Sequence, residues 1–376
     1  MRSLIIVPFC CIFAAFPSFV SSQSPAQSRF DRWDKNGDDK LVLEELPPGL
    51  QANFKRFDGN ADGFISREED AKGGRAPSPG TRPSGAGGSP EGVKKLADLD
   101  YAATGNPRQM LDLYLPEKPV GEDPLPVVVF IHGGGWQSGE KSGGGGKVGQ
   151  LVASGKYAGA SIGYRLSGEA QWPSQIHDCK AAIRWIKAHA AEYGLDPERI
   201  AVWGTSAGGH LVAMLGVSNG VEGLEGTIGD HLDQSGKVRC VLDFFGPTEM
   251  LTMGDHASTL DHNAPTSPES KLIGGTLQEH PDLARNASPI EHVTADDAPH
   301  LIVHGSEDPM VPYPQSVDYE KRLEAAGVPV TFITVEGGGH GKGFGKSVDE
   351  AVASYLGKHL LGEGEEISDR TVKAGE

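Results

Sequence analysis

Cysteine is scarce in this chain: four in 376 residues, two of which, Cys10 and Cys11, sit together near the N-terminus. The other two, Cys179 and Cys240, lie in apolar helical and strand-like stretches and read as small buried residues, which leaves no disulfide framework and no cysteine nucleophile. Basic residues are also short, with 34 Lys and Arg against 51 Asp and Glu and a net charge of −17. That balance disfavours nucleic acid and anionic membranes and repels strongly acidic polymers. Long apolar runs are missing too. The stretch Leu4 to Phe16, preceded by Arg2 and broken by Pro8, is too short to span a bilayer. With Val20-Ser21-Ser22 behind it, it predicts a signal peptide over residues 1–22, cleavage near Ser22, and a secreted or periplasmic protein without membrane insertion.

What the chain does have is glycine, concentrated where chemistry needs it. Arg199 to Trp203 reads as a buried strand, Gly208 to Leu215 as the start of a helix, and between them stands Gly204-Thr205-Ser206-Ala207-Gly208. A serine on such a strand–turn–helix elbow exposes its hydroxyl, and the flanking glycines are needed where a Cβ would clash. Upstream, the β-branched run Val127 to Ile131 ends in His132-Gly133-Gly134-Gly135-Trp136. Its glycines can turn N–H groups toward developing negative charge, so Gly134, Gly135 and Ala207 are the candidate oxyanion hole. A phosphate-binding loop is disfavoured because no Lys-Ser/Thr follows the glycines in the required spacing and Trp136 occupies the next position.

A serine nucleophile needs a base and an acid that orients it. Of thirteen histidines, His340, in the glycine-rich loop that ends the strand Val328 to Val335, has the right topological position; His210, His300 and His304 read as locally packed. The strand Pro299 to His304 runs into Gly305-Ser306-Glu307-Asp308-Pro309-Met310-Val311-Pro312, which favours Asp308 as the acid. The order Ser206, Asp308, His340 is that of the nucleophile-elbow hydrolases. Trp136, Tyr164 and Trp172, near strand ends, are candidate substrate-pocket residues.

From Val93 to Leu361 the chain resembles α/β-hydrolase carboxylesterases, in particular the bacterial group that includes bifunctional feruloyl and acetyl-xylan esterases. The resemblance is carried by His132 to Trp136, Gly163-Tyr164-Arg165-Leu166-Ser167, the stretch Gln175 to Ala191 with Gly194-Leu195-Asp196-Pro197 after it, the elbow at Ser206, and the Asp308 and His340 loops. It implies an α/β-hydrolase fold, an acyl-enzyme mechanism without a catalytic cofactor, and acetyl or feruloyl esters of plant or algal polysaccharide as substrates. The hormone-sensitive-lipase group is also similar, but Thr205 stands where that group has Asp. Strand-like runs near residues 93–101, 109–115, 127–132, 157–165, 200–204, 238–245, 301–304 and 330–335 predict eight strands, mostly parallel, with helices on both faces and an antiparallel edge hairpin from the first two.

Phe30-Asp31-Arg32-Trp33-Asp34 and Phe54-Lys55-Arg56-Phe57-Asp58 form an internal repeat offset by 24 residues, and each opens a calcium-loop pattern. The second loop offers Asp58, Asn60, Asp62, the Phe64 carbonyl and Glu69, with Gly63 at the sharp turn. The first offers Asp34, Asn36, Asp38, the Lys40 carbonyl and Glu45, with Asp39 in place of the turn glycine. Oxygen ligands at alternate positions suit Ca2+, and the pair resembles the compact EF-hand modules of secreted bacterial proteins, which implies a structural ion. The predicted organisation is a signal peptide (1–22), an all-α EF-hand pair (23–72), a flexible Gly/Pro/Ser linker (73–92), a catalytic domain (93–362) and a polar tail (363–376). Other readings of the same residues are an exopeptidase or arylformamidase on one triad, a calcium-dependent attachment protein on a non-catalytic hydrolase scaffold, and an EF-hand pair that docks a partner.

Overall fold

The computed structural model describes residues 34, 36, 38–45, 54, 63–67 and 90–376, and the chain divides into two units, Met1–Gly85 and Ala86–Glu376. The predicted signal peptide (1–22) and residues 73–89 of the predicted linker lie outside the described residues, whereas the predicted tail (363–376) lies within them. Asp58, Asn60, Asp62 and Glu69 also lie outside the described residues.

In the first unit, strands β1 (Lys40–Leu41) and β2 (Ile65–Ser66) pair antiparallel, with Leu41 opposite Ile65. These two apolar residues occupy the same place in the 24-residue repeat, and both are buried. The first loop is wound tightly: Asp34 accepts the amides of Asp38 and Asp39, Asn36 Oδ1 accepts that of Asp38, and Asp38 accepts that of Lys40. Asp39 takes φ 60°, the left-handed turn that the pattern reserves for glycine, and its carboxylate pairs with Arg67 at 2.7 Å.

The second unit is built on one nine-stranded sheet in the order β11-β10-β9-β8-β7-β5-β6-β4-β3. Strands β3 (Val93–Asp100) and β4 (Met110–Pro116) form the expected antiparallel edge hairpin, and β4 also runs antiparallel to β6 (Ala158–Ile162). All other pairings, through β5 (Leu125–Ile131), β7 (Leu195–Thr205), β8 (Cys240–Phe244), β9 (His300–Gly305), β10 (Val330–Glu336) and β11 (Arg370–Lys373), are parallel. The sequence predicts eight strands; the ninth, β11, comes from the stretch expected as a polar tail. As an edge strand it buries only Val372, so its sequence carries no apolar run.

Alternation along β5 assigns the two faces. Val127, Val129 and Ile131 join a cluster with helices α2 (Ser174–Ala188) and α3 (Ala207–Val217), whereas Val128 and Phe130 join one with α1 (Gly145–Ala153) and α7 (Lys346–Leu356). Short helices α4 (Pro268–Ile273) and α5 (Pro281–Asn286) follow β8, and α6 (Pro314–Ala326) lies between β9 and β10. Because both faces are covered, β5 is buried at every residue, and the strand ends are left to carry function. Cys179 and Cys240 are buried and unbonded.

One buried ion pair ties α2 to the loop after β6. Asp178, with no exposed surface, accepts Arg165 N (2.8 Å), Arg165 Nε (2.9 Å), Arg165 Nη2 (2.8 Å) and Gln109 Nε2 (2.7 Å). Removing the carboxylate leaves the buried Gln109 amide and the part-buried Arg165 guanidinium without their acceptor, so Asp178→Ala is expected to destabilise the protein by about 3 kcal/mol, and Asp178→Asn by less. Urea unfolding of the variants beside wild type measures both; equal midpoints would show that the pair contributes nothing.

Candidate active site

Ser206 sits where β7 ends and α3 begins, at φ 56° and ψ −124°, a conformation that costs a residue with a Cβ on the order of 1–3 kcal/mol. Its amide donates to Phe244 O at 2.9 Å and its carbonyl accepts His210 N at 3.0 Å, so hydrogen bonds on either side hold the turn. Space is the other constraint: a Cβ on Gly204 would collide with the Gly208 carbonyl, and one on Gly208 with the carbonyl of Ile131. The elbow therefore exists only with glycine at both positions.

The loop after β5 lies directly against this elbow. A Cβ on Gly133 would stand 2.6 Å from Thr205 O and 3.2 Å from Ser206 Cβ. Gly134, at φ 111°, accepts Gln137 N and Ser138 N at 3.1 Å each, which closes the loop into a tight turn. Among the described residues no acceptor takes the amides of Gly134, Gly135 or Ala207. The Ala207 amide is in the first turn of α3, where N–H groups have no partner within the helix and favour an anion.

Asp308 and His340 come from the loops after β9 and β10 and meet: His340 Nδ1 donates to Asp308 Oδ2 at 2.7 Å. Asp308 Oδ1 accepts the amides of Met310 (2.8 Å) and Val311 (3.0 Å). Burial alone would raise this carboxyl, but hydrogen bonds from His304, His340 and Met310 N outweigh it and hold Asp308 well below the usual carboxylate range. His340 packs on the Phe245 ring, centroids 4.6 Å apart, and Phe245 is itself strained at φ 45°. Thr205 and Gly341, the neighbours of Ser206 and His340, line one cavity of about 510 Å³ with Trp203, Phe244, Phe245 and Phe344. Among the described residues Ser206 Oγ makes no hydrogen bond, to His340 or to any other group; in an unliganded site such catalytic contacts are commonly long and tighten with substrate.

Three predicted pocket residues belong to the core instead. Trp136 is 1 % exposed and its indole N–H donates to His210 Nδ1 at 3.2 Å; His210 Nε2 in turn donates to Ala287 O at 2.7 Å. Trp172 packs on the same imidazole and donates to Asn286 Oδ1 at 2.7 Å. Tyr164 is fully buried, stacks on His132 at 4.4 Å and donates to the His132 carbonyl at 2.9 Å. These rings fix the backbone that carries the glycine loop and have no face left for a ligand. Burial pushes His132 and His210 down to about 4, so both are neutral near neutral pH.

Two groups near the site escaped sequence reasoning. Asp243, in the apolar run of β8, is fully buried; Oδ1 accepts Gly246 N at 3.0 Å, Oδ2 has no partner, and burial pushes the carboxyl up to about 7. A lone acid inside Val241-Leu242-Asp243-Phe244 was the available signal. His304 is the other, and its Nε2 lies 3.3 Å from Asp308 Oδ2.

A carboxyl depressed in the folded state stabilises the protein above its unfolded value, about pH 4, and that contribution is lost as pH falls further. Wild type is accordingly expected to lose stability relative to Asp308→Asn as pH is lowered from about 4 toward 2. Urea unfolding of both proteins across this range measures the difference; parallel curves would contradict the ionised, donor-rich Asp308 of the structure.

A family model described as BD-FAE matches residues 111–323. Esterase LipC of Mycobacterium tuberculosis is 33% identical over 239 residues, 63% of this chain and 57% of LipC. The chain spans about half the length of the curated relatives it matches. Among solved structures, a truncated form of a carbohydrate esterase from gut microbiota is similar at TM-score 0.67 and 35% identity, covering 71% of this chain and 96% of that one. A bifunctional GH43-CE protein of Bacteroides eggerthii is similar at TM-score 0.65 and 34% identity, over 70% of this chain and 38% of that one. With a match across the elbow, the glycine loop and the Asp308 loop, the chain belongs to the BD-FAE family of α/β-hydrolase esterases.

Proposed function

We propose that this protein is a secreted serine carboxylic-ester hydrolase that works through an acyl-enzyme on acetyl or feruloyl esters of plant or algal polysaccharide. The observation that carries this reading is the 2.7 Å bond from His340 to an ionised Asp308, with Gly341, next to His340, lining the same cavity as Thr205, next to the strained Ser206. Ser206 Oγ attacks the ester carbonyl and passes its proton to His340 Nε2, while Asp308 keeps its charge and holds the imidazolium by Nδ1–H. The amides of Gly134, Gly135 and Ala207 receive the oxyanion, a contribution of about 3 kcal/mol per donor. His340 returns the proton to the departing alcohol, and water repeats the attack on the acyl-enzyme. The carbohydrate esterases among the similar structures favour a glycan on the alcohol side.

Hydrolysis of p-nitrophenyl acetate is expected to fall by about 10⁴-fold or more in Ser206→Ala. Wild type should also release acetate from acetylated xylan or ferulate from methyl ferulate. Retained activity in the variant would remove Ser206 from the reaction, and cleavage of p-nitrophenyl acetate with neither natural-type ester would remove the polysaccharide.

The N-terminal unit adds a second proposal, a structural Ca2+ in one or both repeat loops. The donors fit a hard cation, being all oxygen: Asp34, Asn36, Asp38, the Lys40 carbonyl and Glu45 in the first loop, and Asp58, Asn60, Asp62, the Phe64 carbonyl and Glu69 in the second. Pairing of Leu41 with Ile65 supports two loops acting together. Calorimetric titration of the full chain with Ca2+ should lose one site on Glu69→Gln; unchanged binding in that variant, or none in wild type, would refute the second loop.

A further inference from the structure

Resting on the triad just proposed, we propose that His304 is a positioning residue for the catalytic acid, a second imidazole that shares Asp308 Oδ2 with His340 and sets how strongly the acid holds the base. His304 is the penultimate residue of β9 and has no exposed surface. Its Nε2 faces two groups that only accept, Val311 O at 3.1 Å and Asp308 Oδ2 at 3.3 Å, so Nε2 carries a proton and divides it between them. Nδ1 meets Ser316 Oγ of α6 at 2.7 Å. A hydrogen-bonded chain therefore runs from Ser316 through His304 and Asp308 to His340.

The two carboxylate oxygens are held differently. Oδ1 is tied to its own loop by the amides of Met310 and Val311, and Oδ2 takes both imidazoles, His340 at 2.7 Å and His304 at 3.3 Å. The acid is thus left with no free rotation about its carboxyl bond. Around His304 pack Tyr313, the residue before α6, at 5.7 Å between centroids, and Phe245, at 6.3 Å; the Tyr313 hydroxyl is turned away to Thr334. Among the described residues His304 and His340 are the titratable side chains that face Asp308.

Each donor to a carboxylate lowers its basicity. While His304 donates to Oδ2, that oxygen stabilises the His340 imidazolium less than an otherwise bare carboxylate would. Loss of His304 then has two consequences: Asp308 is freer to rotate, which slows turnover, and His340 becomes more basic, which moves the acid limb of the rate profile upward. A residue that only filled space would produce neither shift.

The test is the pH profile of kcat/KM for p-nitrophenyl acetate in the full chain, with melting temperatures recorded in parallel, for wild type, Ser206→Ala, His304→Ala, His304→Phe, His304→Gln and Ser316→Ala. In His304→Ala and His304→Phe, kcat is expected to fall about tenfold and the acid limb to rise by about half a pH unit. His304→Gln keeps an N–H donor and should return the limb toward wild type. Ser316→Ala, which leaves the buried ring in place, should shift it in the same direction by less and keeps the proposal testable if the larger changes fail to fold. An unmoved limb in these variants, with kcat losses that merely follow melting temperature, overturns the role of His304 alone. Residual full activity in Ser206→Ala overturns the triad and this role with it.

Discussion

Backbone crowding at the end of β7 is the constraint on which the rest of the site depends. Three chain segments, the loop after β5, the elbow itself and the start of α3, approach so closely that Gly133, Gly204 and Gly208 each have another backbone where a Cβ would stand. This closeness forces Ser206 to a positive φ and leaves the amide of Ala207 in the first turn of a helix. It also sets Gly133 directly against the serine, where a Cβ would stand 3.2 Å from Ser206 Cβ. Strain of one to a few kcal/mol at Ser206 is offset by α3, buried at all eleven of its residues, and by the sheet beneath it.

Two buried aspartates at neighbouring strand ends show how donors, rather than burial, decide protonation. Asp243 has a single amide donor and an unpaired oxygen, and burial pushes it up to about 7. Asp308 has two amides and two imidazoles, and despite its own burial it is held well below the usual range. Only the second supplies a fixed negative charge for a histidine to lean on. The low-dielectric setting is common to both; the number of hydrogen bonds separates their chemistry.

Much of this was legible in the sequence because it rests on local pattern. Runs such as Val127 to Ile131 must be strands buried on both faces, Thr104-Gly105-Asn106-Pro107 turns the edge hairpin, and the pairing of Asp308 with His340 follows from their places after successive strands. What failed depends on which neighbour covers a residue. Val372 is the one apolar anchor of an edge strand, so Arg370 to Lys373 looked like solvent-exposed tail. Trp136, Tyr164 and Trp172 stand near strand ends, where pocket and core residues have the same sequence context, and here the imidazoles of His210 and His132 claim their surfaces. His304 reads from the sequence as locally packed; its contacts are indeed short in sequence, but one of them is Asp308, the partner of His340.

The N-terminal unit poses the opposite physical problem from the sheet. Where the hydrolase unit buries three large apolar clusters, the described part of the first unit shows one apolar pair, Leu41 against Ile65, and a loop whose carboxylates turn inward onto its own amides. Small domains bury a smaller share of their surface than large ones, and a bound cation is a common further source of folding energy. The oxygens of Asp34, Asn36 and Asp38 are already drawn together around the turn at Asp39, which the Arg67 ion pair braces. Ligand binding at such a loop adds directly to stability, so the pairing of β1 with β2 links whatever one loop gains to the order of the other.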